Sequence, residues 1–334
     1  MNKVDIIYYS QFSKFFSPLF SGIGHVLLFH RVCNNDENKI TRGLQVTQEY
    51  LDAVLKYFIS RNIDIVSLDE CYNRILSKEK VRRFVVFTFD DGYSDNLTHA
   101  LPVFERYSAP LAVFIATGYP DHSVILWWYL LDDLVMNSDH IEFLYGNDLY
   151  SFSTNTLNEK TDAFWKIRRF ILDSNQEDFL TRLAVVFNGD QRDLLALTKK
   201  LALSWDQVKE LSKHPLVTIG AHTINHLALS KLDEGKVIEE ITGSMRLIQE
   251  KTEKPVSYLA YPIGTSAEAS AREYDLSKQC NVKMSFTAER GNIFKHHSKH
   301  LHSLPRIGIN ERMHISHIDL YINGLIPFID RIFR

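Results

Sequence analysis

Two short runs hold the residues best suited to chemistry. Thr88-Phe89-Asp90-Asp91-Gly92 places adjacent carboxylates at the end of an apolar run. Neighbouring carboxylates repel, a cost removed when a cation sits between them or when one stays protonated. A solvated Asp-Asp-Gly turn is the plainer alternative. His222-Thr223-Ile224-Asn225-His226 follows another apolar run, VTIGA. Histidines at i and i+4 share a face where the chain turns helically, and both imidazoles then reach one ion; one capping and one exposed histidine is the alternative. Two histidines and one aspartate make a facial metal site with positions left open for water and substrate. Zn2+ suits that ligand set, and Co2+, Ni2+, Mn2+ and Fe2+ remain open.

The elements around these runs must bring them together. Short β-branched runs alternate with amphipathic helices: HVLLFHRV from His25, a helix over Thr47 to Asn62 with Leu51, Val54, Leu55 and Phe58 on one face, DIVSL from Asp64, and RFVVFTFDD from Arg83. A helix over Asp95 to Tyr107 and the run PLAVFIAT from Pro110 continue the pattern. Repeated units of this kind predict parallel strands with helical crossovers. From residue 118 to 203 the rhythm breaks into WWYLLDDLV, a small hairpin near Ile141 to Phe152, and helical stretches over Ala163 to Leu172 and Gln176 to Val186. It resumes at Ser204, whose S-x-x-Q spacing to Gln207 predicts a capping box. Beyond it come VTIGAHT, a helix over Asp233 to Thr252, SYLAYPIG, a helix through Cys280, KMSFTAE and LPRIGI.

About seven βα steps predict an α/β fold, a distorted (β/α)7 barrel with a mostly helical insertion. The expected organisation is a barrel from 25–117 and 204–312, the insertion at 118–203, an N-terminal amphipathic segment at 1–24 and a C-terminal amphipathic helix at 313–334. In such barrels chemistry collects at the C-terminal ends of the strands. His30 and Arg31, Asp90 and Asp91, His222 and His226, and the Tyr261-Pro262-Ile263-Gly264 turn all fall at strand ends.

Composition narrows the function classes. Lys plus Arg number 38 against 41 Asp plus Glu, so the net charge of -3 offers no bulk attraction to nucleic acid. Cys33, Cys71 and Cys280 are widely spaced and form no C-x-x-C pair, which predicts a reducing compartment. The aromatic N-terminus lacks the uninterrupted apolar core of a signal peptide, and the cytoplasm is the expected location. Tyr8, Phe12, Phe15, Phe16 and Leu19, and again Ile318, Tyr321, Ile322, Leu325, Ile329 and Ile332, recur at helical spacing. Such helices either pack on the core or lie at the inner face of a membrane as peripheral anchors. The oligomeric state is open.

TFDDG followed at long range by H-T-x-x-H resembles the first two motifs of the polysaccharide deacetylases, carbohydrate esterases related to the chitooligosaccharide deacetylases. LLFHRV, the stretch VTQEYLDAVLKYFISRNIDIVSLDE, AYPIG and LPRIGI extend the resemblance over most of the chain. It implies a distorted (β/α)7 barrel, a divalent metal, and removal of N-acetyl, O-acetyl or formyl groups from sugars. By position it implies that Asp91, His222 and His226 hold the metal, that Asp90 is the base, and that a backbone N–H around Ile263 in the Tyr261 turn serves the oxyanion. The family's third motif carries an arginine that orients the base, and Ala260 stands there in this chain. Arg306 or Arg31 could supply that guanidinium. The family's late histidine, the acid for the leaving amine, has no clean counterpart; His30 is the candidate, ahead of His302 and His314. Trp127 and Trp128 either stack on sugar rings or are helix core. The expected substrate is an N-acetylated sugar or glycan intermediate. The alternatives are an amidohydrolase acting on a non-sugar C–N bond and a catalytically silent glycan-binding protein.

Overall fold

Seven short parallel strands close into a barrel. The structure, a computed structural model, describes residues 19–33, 40–176, 191–326 and 329. The strands are β1 (Gly24–Phe29), β2 (Phe84–Phe89), β3 (Leu111–Ile115), β4 (Val217–Ala221), β5 (Tyr258–Ala260), β6 (Met284–Arg290) and β7 (Leu304–Gly308). Each pairs in parallel with the next around the ring, β7 returns to β1, and β1 pairs with β2 along its whole length, from Gly24 opposite Phe84 to Phe29 opposite Phe89. The ring is uneven. β4 and β5 meet only at Ala221 opposite Leu259, and the register between β6 and β7 shifts between Phe286 and Arg290. Asp64–Ile65, inside the expected DIVSL strand, pairs with the first two residues of β2 and is not one of the seven closing strands.

Every residue of β1, β2 and β3 is buried, as strands covered on both faces must be. Period-two alternation divides them. Val26, Val86, Ala112, Phe114, Ala260, Phe286 and Leu304 fill one cluster; Leu27, Phe29, Val85, Phe87, Val113, Leu259 and Ile307 pack in another, with the helix faces Leu51, Val54, Leu55, Phe58, Val237 and Ile241. The first set is the inside of the barrel. Space there is tight: a Cβ on Gly220 would stand 2.4 Å from the Phe114 ring.

The helices start where local chemistry starts them. Thr47 caps Gln48–Ser60, Ser67 caps Leu68–Leu76, and Asp233 caps Glu234–Thr252. Ser204 and Gln207 form the reciprocal capping box of Trp205–Lys213. The segment between β3 and Trp205–Lys213 builds its own apolar cluster from the helices Trp127–Asn137 and Leu157–Asp173 and the antiparallel hairpin His140–Tyr145 with Asp148–Ser153. Near the C-terminus a helix spans Ile315–Ile322, Gly324 interrupts it in the left-handed region at φ 81°, and helix resumes at Leu325 and Ile326. The first stretch packs with Ile318, Tyr321 and Ile322 in the main core. All but the first residue of the expected helix over Gln176 to Val186, the N-terminal segment up to residue 18, and Ile332 lie outside the described residues. No helix among the described residues is long and apolar enough to cross a membrane.

Candidate metal centre and active site

Continuing the inward alternation past the strand ends carries β1 from Val26 through Leu28 to His30, and β2 from Val86 through Thr88 to Asp90. It carries β4 from Gly220 to His222, and makes Arg306 the inward residue after Leu304. His30, Asp90 and His222 line one cavity of about 360 Å³, together with Asp91, His226, Trp127, Trp128 and Ile263. Arg306 lies beneath it, fully buried.

Arg306 grips Asp90 with both arms, Nη1 to Oδ1 and Nη2 to Oδ2, each at 2.7 Å. Its Nε donates to the Thr287 carbonyl at 2.8 Å and Nη1 also reaches Thr88 Oγ1 at 3.2 Å. A two-pronged contact of this kind fixes the carboxylate in orientation as well as charge. Burial alone would push the Asp90 carboxyl up, but Arg306, with help from His222, outweighs it and holds the pKa below the usual carboxylate range. Arg31, the other candidate for this role, is engaged elsewhere: its Nε donates to Asp95 Oδ2 at 2.8 Å and its guanidinium lies over the Tyr93 and Tyr129 rings.

Asp91 faces the other way. Its Oδ1 lies 3.4 Å from His222 Nε2 and 3.2 Å from His226 Nε2. Burial opposes its charge, yet the two imidazoles hold its pKa well below the ordinary value. His222 Nδ1 is 2.7 Å from the Ala260 carbonyl, which can only accept, so Nδ1 carries a hydrogen and Nε2 is the nitrogen turned toward Asp91; burial would lower the His222 pKa, but Asp90 and Asp91 outweigh it and raise it. Asp91 Oδ1 and His226 Nδ1 are buried with no hydrogen-bond partner. A carboxylate oxygen facing imidazole nitrogens, all within 4.8 Å of one another, is a donor set suited to a small divalent cation.

The loop carrying the histidines is pinned from below. Glu240, buried on Glu234–Thr252 between Val237 and Ile241, accepts from Ile224 N at 2.9 Å, Asn225 N at 2.8 Å and Asn225 Nδ2 at 2.6 Å. Strain gathers at the site: Asp91, Thr223, His226 and Ile263 all hold positive φ, between 54° and 72°. For a β-branched residue such as Ile263 that conformation is costly and marks a position the surroundings enforce. The Ile263 N–H meets no acceptor among the described residues, and Gly264, at φ 69°, completes the turn.

The other sequence candidates separate. The Tyr261 hydroxyl bonds Ser277 Oγ and the His302 carbonyl, and its N–H bonds the Phe286 carbonyl. The Tyr261 side chain therefore belongs to the core, and the turn's contribution to the cavity is Ile263. His302 borders a separate surface hollow and His314 caps Ile315–Ile322, so neither lines the site. His30 does; burial lowers its pKa, Asp91 and Asp90 oppose that, and the net shift is downward. Trp127 and Trp128 line the cavity while only 3% and 7% exposed. They form a wall rather than an open platform, with the Trp128 ring centroid 5.1 Å from that of His226.

Sequence patterns alone did not single out Thr88, Glu240, Phe164, Trp165, Arg168 or Arg312. Glu240 had a legible signal, a carboxylate within the apolar row of its helix. The last four come from the segments at 118–203 and after β7, whose approach to the rim no local pattern encodes.

A parallel barrel with carboxylates and histidines gathered at its C-terminal rim defines the class: a (β/α)7 barrel with a candidate metal site at the strand ends. The polysaccharide deacetylase family matches residues 77–285, well over half of the chain, and the chain belongs to that family. The match takes in Asp90, Asp91, His222, His226 and Ile263 and ends before Arg306. Bacillus subtilis (strain 168) YxkH is 18% identical over 304 residues, which are 90% of this chain and 76% of that protein. Among solved structures, the deacetylase PplD of Streptococcus pyogenes, in complex with acetate, aligns with a TM-score of 0.56 at 16% identity over 88% of this chain and 95% of its own. IcaB from Ammonifex degensii aligns with a TM-score of 0.58 at 14% identity over 91% and 98% respectively. At these identities the structural likeness speaks for the barrel fold.

Proposed function

We propose that this protein is a metal-dependent carbohydrate N-deacetylase that removes an acetyl group from an N-acetylated sugar or glycan intermediate. The observation that carries the proposal is the division of labour between adjacent carboxylates: Asp90 is clamped by Arg306, while Asp91 faces two imidazole nitrogens. Asp91, His222 and His226 would hold the ion, with Zn2+ the best match to one carboxylate and two imidazoles. When bound, the ion supplies Lewis acidity toward a water and toward the acetamide carbonyl.

The chain's own groups do the rest. Asp90, kept ionised and aimed by Arg306, takes the proton of the attacking water. The unpaired Ile263 N–H donates to the carbonyl oxygen as negative charge develops on it. His30 is the remaining titratable side chain of the cavity wall besides the metal triad, Asp90 and two arginines; burial favours its neutral form, so as the acid it passes a proton to the departing amine while taking up the one that Asp90 received from the water. Asp90 and His30 then both end as they began. The products are acetate and a free amine. Incubating the purified protein with N-acetylated mono- and disaccharides should release acetate and primary amine in equal amounts, with at least a thousandfold loss in Asp91→Ala. No acetate from any acetylated sugar would overturn the proposal.

A further inference from the structure

The cavity is acidic and neutralised at its floor but cationic at its opening. Asp90 and Asp91 are the only carboxylates among its lining residues, and Arg306 offsets the first. Nearer solvent the lining includes Arg168, half-buried on Leu157–Asp173, and Arg312, exposed in the loop after β7. Neither has an ion-pair partner among the described residues. The carboxylates that could serve them are taken: Glu268 is held by Arg169 at 2.8 Å and by the Thr265 hydroxyl, and Glu311, next to Arg312, faces Arg42 at 3.9 Å.

The Arg168 guanidinium lies over the Trp165 ring, 5.4 Å from its centroid, a stacking that orients the fork while leaving its edge N–H groups free to donate. Burial lowers its pKa, with Glu268 opposing. A half-buried cation without a counterion is costly, and an anion arriving in the cavity would relieve that cost. The second arginine comes from a different part of the chain and converges on the same cavity, so the positive charge belongs to the cavity and not to one helix face.

We propose that Arg168 and Arg312 form an anion subsite at the mouth of the cavity, and that the substrate is an acetylated sugar carrying a phosphate or carboxylate beside the acetylated unit. The floor takes the acetamide, and the mouth takes the anion through charge-assisted hydrogen bonds. At about 360 Å³, the cavity is at the small end of ligand pockets, which run from about 300 to 1,000 Å³. It therefore suits one sugar with its anion rather than a long glycan.

The kinetic part of the test rests on the deacetylase proposal; a binding part does not. Acetate release is compared for N-acetylglucosamine 1-phosphate, for an N-acetylglucosamine–glucuronate disaccharide, and for neutral chitobiose. The subsite predicts that one anionic substrate exceeds chitobiose at least tenfold in kcat/KM. It also predicts that Arg168→Ala and Arg312→Ala each cut that preference about tenfold, mainly through KM, with Arg168→Lys restoring part of it. Preference for the first probe identifies a phosphate, and for the second a carboxylate. If no probe releases acetate, titration calorimetry with inorganic pyrophosphate and with glucuronate decides: binding that weakens at least tenfold in the double alanine variant sustains the subsite. Equal kcat/KM for charged and neutral sugars, variants that lower both alike, or anion binding indifferent to both arginines would overturn it.

Discussion

Strand β1 carries a histidine near each end, and the two live in opposite worlds. His25, near the start, points away from the barrel axis. Its Nδ1 meets Asn292 Oδ1 at 2.9 Å and its Nε2 meets Arg83 Nη2 at 3.1 Å, so one nitrogen donates, the other accepts, and the ring stays neutral. Burial, with the Arg83 charge adding to it, lowers its pKa to about 3. His30, just past the other end, points into the cavity beside residues held at positive φ and beside an Asp91 oxygen without a hydrogen-bond partner. At the bottom both ring nitrogens of His25 are satisfied. At the rim Asp91 Oδ1 and His226 Nδ1 are held in place without hydrogen-bond partners, the arrangement expected where a ligand completes the structure.

That contrast can be broken by mutation. The largest effect should come from Asp90→Asn, which keeps the side chain's size but can accept from only one arm of Arg306 and removes the base: acetate release should fall about 100- to 10,000-fold while the metal content measured by plasma mass spectrometry stays at the wild-type level. Loss of the metal as well would mean that Asp90 is a ligand and not a base. Arg306→Ala comes next. It leaves a buried carboxylate without its partner, so chemical denaturation should show a loss of about 3–5 kcal/mol along with impaired turnover, and Arg306→Lys, unable to make both contacts, should recover stability better than rate. Full activity in Arg306→Ala would remove it from the site.

The smallest effect belongs to the bottom of the barrel. His25 is neutral when folded down to about pH 3 but titrates near 6.5 when unfolded, so between those values the unfolded state binds the extra proton. Stability therefore falls as pH drops through that window, by about 1.4 kcal/mol per pH unit from this one group. Denaturation curves from pH 6 to pH 4 should show a shallower loss in His25→Gln, with acetate release at neutral pH close to wild type. An unchanged slope would mean that the bottom histidine does not contribute to acid sensitivity.

Much of this was legible in the sequence because two periodicities do most of the positioning. The βα rhythm encodes the parallel barrel, and alternation along β2 and β4 aims Asp90 and His222 inward as soon as the strand ends are known. The same parity, counted from Leu304, points Arg306 inward, which is why a guanidinium from the last strand reaches Asp90. Three things resisted. Tyr261 adjoins the strained turn, and only the three-dimensional neighbourhood shows its ring going to Ser277 while Ile263 faces the cavity. The arginines at the mouth come from two separate segments, Arg168 on a helix docked through the apolar cluster that includes Trp128 and Phe164 and Arg312 in the loop after β7, and no local pattern encodes their approach to one cavity. The C-terminal apolar row reads straight through the interruption at Gly324, because a 3.6-residue period survives such a break.

The central claim is that the Asp91, His222 and His226 cluster is a metal centre on which deacetylation depends. Its most direct test is to strip the purified protein with a chelator, dialyse, and follow acetate release from the best N-acetylated substrate during stepwise return of Zn2+. Activity should vanish with the metal, return at about one equivalent per chain, and fail to return in Asp91→Ala. Undiminished acetate release from protein whose metal content has fallen to background would contradict it.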